Sequence, residues 1–233
     1  MSIRVAIIGA GMSGLGAART LKEAGAVYTV FEAENQPGGR VRTDRIDGYV
    51  FDSGASSIAP RGRTLERVML TEISQEGLVK VERTIYVHEG MRTTPGDPQR
   101  MVIVRYAYQQ GNDVLPQRLA AGLDVRYSTK VESIGDDGKV FSIRGENFDR
   151  VILACPTLEA LPLLHMLKVE KNLSGIAYRP CVSVLLGFED NIGDRPYHAL
   201  IDPDQRHPLT WLSIDSLKTP HRAPGEGIAF VAQ

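Results

Sequence analysis

Residues 5–43 read VAIIGAGMSGLGAARTLKEAGAVYTVFEAENQPGGRVRT, and this stretch decides the fold. An apolar run over 3–8 predicts a strand that enters the turn Gly9-Ala10-Gly11-Met12-Ser13-Gly14. A helix opens there, with Ala17, Ala18 and Leu21 on its packing face and Gly25 as its stop. A second strand, 27–31, ends on Glu32. Strand, glycine turn, helix, strand and acid form the fingerprint of a dinucleotide site in its required context. Gly9 permits the tight turn, Gly11 leaves room for a pyrophosphate, and Gly14 lets the helix lie close to the strand. The helix mouth, at Met12 and Ser13, offers phosphates unpaired N–H groups and the positive end of the helix dipole. Glu32 stands 23 residues after Gly9, where a carboxylate accepts hydrogen bonds from ribose hydroxyls and repels a 2′-phosphate.

Beyond the acid comes Gly38-Gly39-Arg40-Val41-Arg42-Thr43. Two glycines bring main-chain N–H groups close to a phosphate, and Arg40 adds positive charge. The whole run resembles the flavoprotein amine oxidase superfamily, in which GGR-x-x-T follows the first βαβ unit and helps to hold the FAD pyrophosphate. The resemblance implies FAD as cofactor. Phe51-Asp52-Ser53-Gly54-Ala55-Ser56-Ser57 extends it. The family places an F-D-x-G-A/G segment where the backbone passes the flavin, which implies that Gly54, Ala55, Ser56 and Ser57 approach the cofactor. The segment 128–134 resembles the one that places a main-chain contact on the adenine, by likeness at Val131. Within the superfamily, residues 178–188 and 209–216 look most like the renalase-like branch. Family members normally continue further and return to the nucleotide domain beside the flavin, so the end at Gln233 implies that a C-terminal part is missing.

A chain of 233 residues, 42% hydrophobic and 24% charged, suffices for one large globular domain or two small ones. A net charge of −1 gives no electrostatic reason to expect nucleic acid or an anionic membrane. The apolar runs 151–154 and 182–186 are far too short to cross a bilayer. The first strand begins almost at once, which leaves no room for a signal peptide. Cys155 and Cys181 are the only cysteines, so neither a disulfide framework nor a C-x-x-C metal pair is present. The expectation is a soluble, cytoplasmic protein acting on a small-molecule substrate, with no nucleic-acid partner, no membrane and no metal. Its oligomeric state is left open.

Farther along, a loop-rich stretch 36–63 precedes an expected short helix over 64–76 with Leu65, Val68, Met69 and Ile73 inward. Residues 79–88 read as strand broken at Arg83, 92–100 as a turn, and 102–108 as strand. Asn112 or Asp113 caps a helix to Ala121, which Gly122 ends. A strand at 123–127 follows, then a hairpin with arms 131–134 and 140–143 around Gly135-Asp136-Asp137-Gly138, then a strand at 148–154. After Pro156 come a helix at 158–167 and strands at 181–188, 198–201, 209–215 and 227–232, which suggest an antiparallel sheet. The expected fold is α/β. A Rossmann-like FAD/NAD(P)-binding domain spans 1–77 and 112–160. An interleaved antiparallel-sheet substrate domain spans 78–111 and 161–233, incomplete at its C-terminus and with the final strand leaving an unpaired edge.

No motif supports hydrolytic or metal chemistry. The five histidines lack H-E-x-x-H spacing, and G-x-S-x-G is absent, so Ser13 reads as a phosphate neighbour and not a nucleophile. Cys155 reads as core packing. The resemblance implies hydride transfer from an amine or a reduced nicotinamide-type donor to flavin N5, with O2 as acceptor; such chemistry is carried by the cofactor and needs no side-chain triad. The catalytic residues are unknown: the family commonly places a lysine near the flavin, and no lysine here matches by pattern. Tyr178, His198 and Trp211 are candidates for the substrate face or for packing. Two other readings stay open: a truncated or non-catalytic FAD-binding protein, and a nicotinamide-only dehydrogenase, which Gly38-Gly39-Arg40 and Gly54-Ala55 disfavour.

Overall fold

Strand β1 (Arg4–Ile8) is apolar after its first residue because a parallel strand inside a sheet is covered on both faces. The computed structural model describes residues 3–97, 103–169, 173, 175–190 and 193–233. The chain divides into two units, Met1–Arg40 with Pro116–Arg179 and Val41–Leu115 with Pro180–Gln233.

In the first unit β1 pairs in parallel with Arg150–Leu153 on one side and with β2 (Val27–Phe31) on the other. Val125–Arg126 adds to the outer edge of β2, completing a four-stranded parallel sheet. Helix α1 (Met12–Glu23) crosses between β1 and β2 and packs on both. It buries Gly14, Leu15 and Ala18, while Ala17 and Leu21 are half-buried. Ala6, Ile8 and Phe31 form an apolar cluster with Val131, Ile134, Ile143, Phe148 and Leu163. Phe31 and Phe148 meet edge to face at 5.8 Å. The expected hairpin is present but shifted. Its first arm is Gly135–Asp136, not 131–134, and Phe141–Ile143 and Glu146–Phe148 complete a three-stranded antiparallel sheet. The Asp137 carboxylate accepts the N–H groups of Lys139 and Val140, which fixes the turn there, while Val131 and Ile134 are drawn into the core.

In the second unit Asp44–Ile46 and Tyr49–Phe51 form a hairpin across Asp47-Gly48, with φ of +50° and +82°. Positive φ at both positions is the type I′ geometry that suits the twist of paired strands. The main sheet has six strands in the order Val184–Phe188, Ile228–Ala232, Trp211–Ile214, Tyr197–Ile201, Thr84–Glu89 and Arg92–Pro95. It is mixed, not purely antiparallel as the turn-rich sequence suggests. Tyr197–Ile201 runs parallel to Thr84–Glu89, because these strands come from distant parts of the chain and no hairpin joins them. The break at Arg83 separates two sheets, since Leu78–Lys80 pairs instead with Tyr106–Tyr108. Residues 92–95, expected as turn, are an edge strand, where Pro95 needs no outward ladder bond; residues 98–100 of that turn lie outside the described residues. The expected helix at 64–76 is a short α-helix, Arg63–Arg67, followed by a π-helical turn, Val68–Glu72; of its apolar residues only Met69 is fully buried. The final strand is not an edge. Ile228–Ala232 is paired on both sides, with Ala229 and Val231 packed on Phe51.

One contact sets the tolerance of the first unit. A Cβ on Gly14 would lie 1.9 Å from the Gly9 carbonyl oxygen, whereas one on Gly16 would meet nothing within 4 Å. Gly14→Ala is expected to cost at least about 2 kcal/mol in urea unfolding. Gly16→Ala is expected to be neutral or to gain up to about 1 kcal/mol from helix propensity.

Candidate functional site

The glycine turn is shaped by close approach. Gly9 has φ of +104°, and a Cβ there would press on the Cys155 nitrogen and the Ala154 carbonyl at 3.0–3.1 Å. Its N–H donates to the Phe31 carbonyl at 2.8 Å, tying the turn to β2. Gly11 is the N-cap of α1, and a side chain there would project into open space. No side chain caps this helix and its first turn holds no acid. The N–H groups of Met12, Ser13 and Gly14 therefore lack partners within the helix. Gly38 donates its N–H to the Ala10 carbonyl at 3.0 Å and bridges Gly11 in parallel. Gly39 lies beside Gly11, 3.7 Å from its Cα by an added Cβ, and Arg40 is exposed.

Glu32 has a structural task that the sequence does not reveal. Its Oε2 accepts the Ala10 N–H at 2.6 Å and its Oε1 the Glu34 N–H at 2.9 Å. The acid at the end of β2 thus pins the turn. Val131 keeps its side chain in the apolar cluster. Gly9 to Gly14, Glu32, Gly38 to Arg40 and Val131 all belong to the first unit. Gly54, Ala55, Ser56 and Ser57 belong to the second, half-buried. A cradle of open space over Gly11, bordered by unpaired N–H groups, a cation and a ribose-competent carboxylate, fits a dinucleotide such as FAD.

In the second unit a buried charge cluster holds the segment 51–57. Asp52 accepts Thr43 Oγ1 (2.8 Å) and the Asn112 N–H (2.9 Å) on Oδ1, and Lys218 Nζ and Arg222 Nη2, both at 2.9 Å, on Oδ2. Asp215 accepts the Asp52 N–H at 2.7 Å and pairs with Lys218 at 2.8 Å. The ion-paired side chains of Asp52, Lys218 and Arg222 are fully buried. Burial alone would push the Asp52 carboxyl pKa up; Lys218 and Arg222 outweigh it and hold the pKa below the usual carboxylate value. Lys218 also donates to the Ser56 carbonyl at 2.7 Å, Asn112 Nδ2 to the Ala55 carbonyl at 2.9 Å, and Gly54 to the Arg42 carbonyl at 3.1 Å. Sequence patterns did not single out Asp215, Lys218 and Arg222. The charged residues that close the apolar strand in Ser213-Ile214-Asp215-Ser216-Leu217-Lys218 are the available signal.

A cavity of about 940 Å³ opens in the same unit, walled by Ser56 and Ser57, Arg61, Arg83, Arg105, His198 and Trp211 among others. His198 and Trp211 are therefore brought to one cavity, while Tyr178 is in the first unit, its hydroxyl donating to Thr157 Oγ1 and accepting the Thr157 N–H. His198 Nδ1–H donates to the Arg83 carbonyl at 2.7 Å, which leaves Nε2 as a buried atom without a partner. Burial, above all, pulls its pKa from 6.5 down to about 4, so the ring is neutral and Nε2 is an acceptor. Cys155 packs against the apolar cluster, and burial raises its thiol pKa. Among the described residues no group of acids, histidines and cysteines could hold a metal, and no helix is long and apolar enough to cross a membrane.

The chain is similar to known proteins. Residues 12–101 and 82–226 match the profile of a family described as flavin containing amine oxidoreductase. The chain is similar to the mitochondrial protoporphyrinogen oxidase of Nicotiana tabacum, 53% identical over 55 residues, or 24% of this chain and 11% of that protein. It is similar to the L-amino-acid oxidase of Bothrops pauloensis, 38% identical over 101 residues, or 40% of this chain and 19% of that protein. The matched stretches thus span less than a fifth of either relative. Reduced UDP-galactopyranose mutase superposes with a TM-score of 0.76 at 15% identity, over 99% of this chain and 74% of that one, a likeness of fold.

Two outcomes follow from the second unit. Asp52→Asn leaves two buried cations facing one remaining carboxylate and is expected to cost about 3–5 kcal/mol in urea unfolding. His198 stays neutral in the folded chain between pH 6.5 and about 4, where the unfolded chain takes up a proton. Its share of stability is whole above pH 6.5 and lost as pH falls toward 4, up to about 3 kcal/mol. His198→Gln should flatten that part of the acid limb in urea midpoints measured from pH 7 to 4.

Proposed function

The chain belongs to the flavin-containing amine oxidoreductase family, and on that premise we propose that it oxidises a small donor with FAD held at the glycine turn. The observation that carries the reading is the turn itself: an uncapped helix mouth, open space over Gly11, and Gly38 bridged to Gly11. The N–H groups of Met12, Ser13 and Gly14 and the Arg40 guanidinium hold the pyrophosphate. Glu32 accepts from the adenosine ribose while its other bonds keep Ala10 in place. The Val131 main chain meets the adenine, and Gly54, Ala55, Ser56 and Ser57 serve the flavin end.

When bound, FAD supplies an acceptor at N5 for a hydride from an amine or reduced nicotinamide-type donor, and O2 takes the electron pair onward to give peroxide. The protein positions and shields. The Asp52 cluster holds the carbonyls of Ala55 and Ser56, and the Arg42 carbonyl holds the Gly54 N–H, so the segment beside the flavin is preorganised. The cavity of the second unit receives the donor, with neutral His198 Nε2 available to accept a hydrogen bond from its N–H or O–H.

The purified chain is expected to be yellow and to bleach under an anaerobic amine or dihydronicotinamide, recovering on admission of O2. A colourless protein that binds NAD overturns the reading, and a yellow one inert to every donor supports a non-catalytic FAD-binding protein. Glu32→Ala should weaken FAD about 10- to 100-fold, read by fluorescence titration of the apoprotein. Unchanged affinity would remove Glu32 from the ribose.

A further inference from the structure

The wall of the cavity in the second unit carries charge that no described residue neutralises. Four cations line it, Arg61, Lys80, Arg83 and Arg105, against two acids, Glu82 and Asp97. Lys80 is paired with Glu82, and Arg83 with Asp194. Among the described residues Arg61 and Arg105 have no carboxylate and no hydrogen-bond partner for their guanidinium groups. Burial and then the neighbouring Arg61 lower the Arg105 pKa, so the two cations repel each other across the same space. Arg61 is exposed and Arg105 half-buried, and an anion entering this space is attracted by both guanidinium groups.

Three further atoms on this wall are buried and without partners: Ser56 Oγ, Trp211 Nε1 and His198 Nε2. Buried polar atoms are almost always satisfied, so three on one cavity mark the place of a polar guest. Their chemistry describes that guest. Trp211 Nε1–H and the guanidinium groups can only donate, so they call for an acceptor; His198 Nε2 can only accept, so it calls for one N–H or O–H. Between them Val81, Ile85, Val87, Ile103 and Ile201 give the cavity an apolar side. Among the described residues none that lines the cavity lies in a helix, guanidinium groups match the fork of a carboxylate, and the aliphatic side suits an apolar body attached to it.

We propose that Arg61 and Arg105 clamp the carboxylate of a ligand with an apolar body, held also by Ser56, Trp211 and one donor group to His198. That this carboxylic acid is the electron donor rests on the oxidoreductase reading; the clamp itself does not. The side chains of Arg61 and Arg105 bind the anion and select among donors, and take no part in moving electrons.

Trp211 is the only tryptophan of the chain and sits on the cavity wall, so its fluorescence reports occupancy without reference to turnover. The purified full chain is titrated with 4-phenylbutyrate, with its neutral analogue 4-phenylbutanamide and with inorganic phosphate. The carboxylate should change the emission saturably, and the amide should bind at least about tenfold more weakly. Arg61→Gln and Arg105→Gln should each weaken 4-phenylbutyrate by about tenfold. Arg67→Gln, an exposed residue paired with Glu72, should leave it unchanged. Equal affinity for acid and amide, or unchanged affinity in both arginine variants, overturns the clamp. Phosphate that displaces the carboxylate at equal concentration overturns the choice of anion. If the carboxylate binds in a protein that carries no flavin, the clamp stands and the oxidoreductase reading falls. If the flavin bleaches normally in a protein indifferent to carboxylates, the clamp falls and the oxidoreductase reading stands.

Discussion

Two carboxylates and two cations share the dry interior of the second unit, and the shape of that unit follows from keeping them satisfied. Removing such charges from water is costly, and mutual attraction offsets the cost only when the geometry is good and the remaining lone pairs are used. Asp52 meets both conditions, with a neutral donor and a main-chain N–H on one oxygen and two cations on the other. The cluster ties together parts of the chain more than 160 positions apart, from Asp52 to Lys218 and Arg222. An apolar core of similar volume would pack as well without dictating where the carbonyls of Ala55 and Ser56 must point. The polar cluster does dictate it, and Ser56, whose carbonyl it holds, is also the residue that lines the cavity.

The first unit is governed by sterics instead of charge. Gly9 and Gly14 allow backbone to touch backbone, and the resulting narrow turn leaves the end of α1 uncapped. That combination is a poor way to finish a helix in isolation and a good way to present N–H groups to an anion. Glu32 couples the turn to β2, so the acid that would recognise a ribose also sets the position of Ala10.

The limits of sequence reading are physical. The strand 27–31 is legible to the residue, because its β-branched and aromatic residues follow the helix stop at Gly25 and an acid ends it. The hairpin near 137 is legible in kind but not in register, because Asp137 rather than Gly135 organises the turn. Asp47-Gly48 is a hairpin signal hidden within a loop-rich stretch, where the strands it joins are only three residues long. The parallel pairing of Tyr197–Ile201 with Thr84–Glu89 has no local trace, since the two strands lie more than a hundred residues apart and nothing in either specifies the direction of its partner. The same holds for Arg222, which stands in a proline-flanked loop and reads as a surface cation, yet is fully buried.

What the sequence determined by itself is the nucleotide-binding half. Its glycines, helix and acid lie within one βαβ unit, where spacing along the chain is nearly spacing in space. The Asp52 cluster and the arginine-lined cavity were decided only by tertiary structure. Their members come from segments far apart in the chain, and the electrostatics that makes them meaningful (burial for Asp52, a shared cavity wall for Arg61 and Arg105) exists only once those segments have come together.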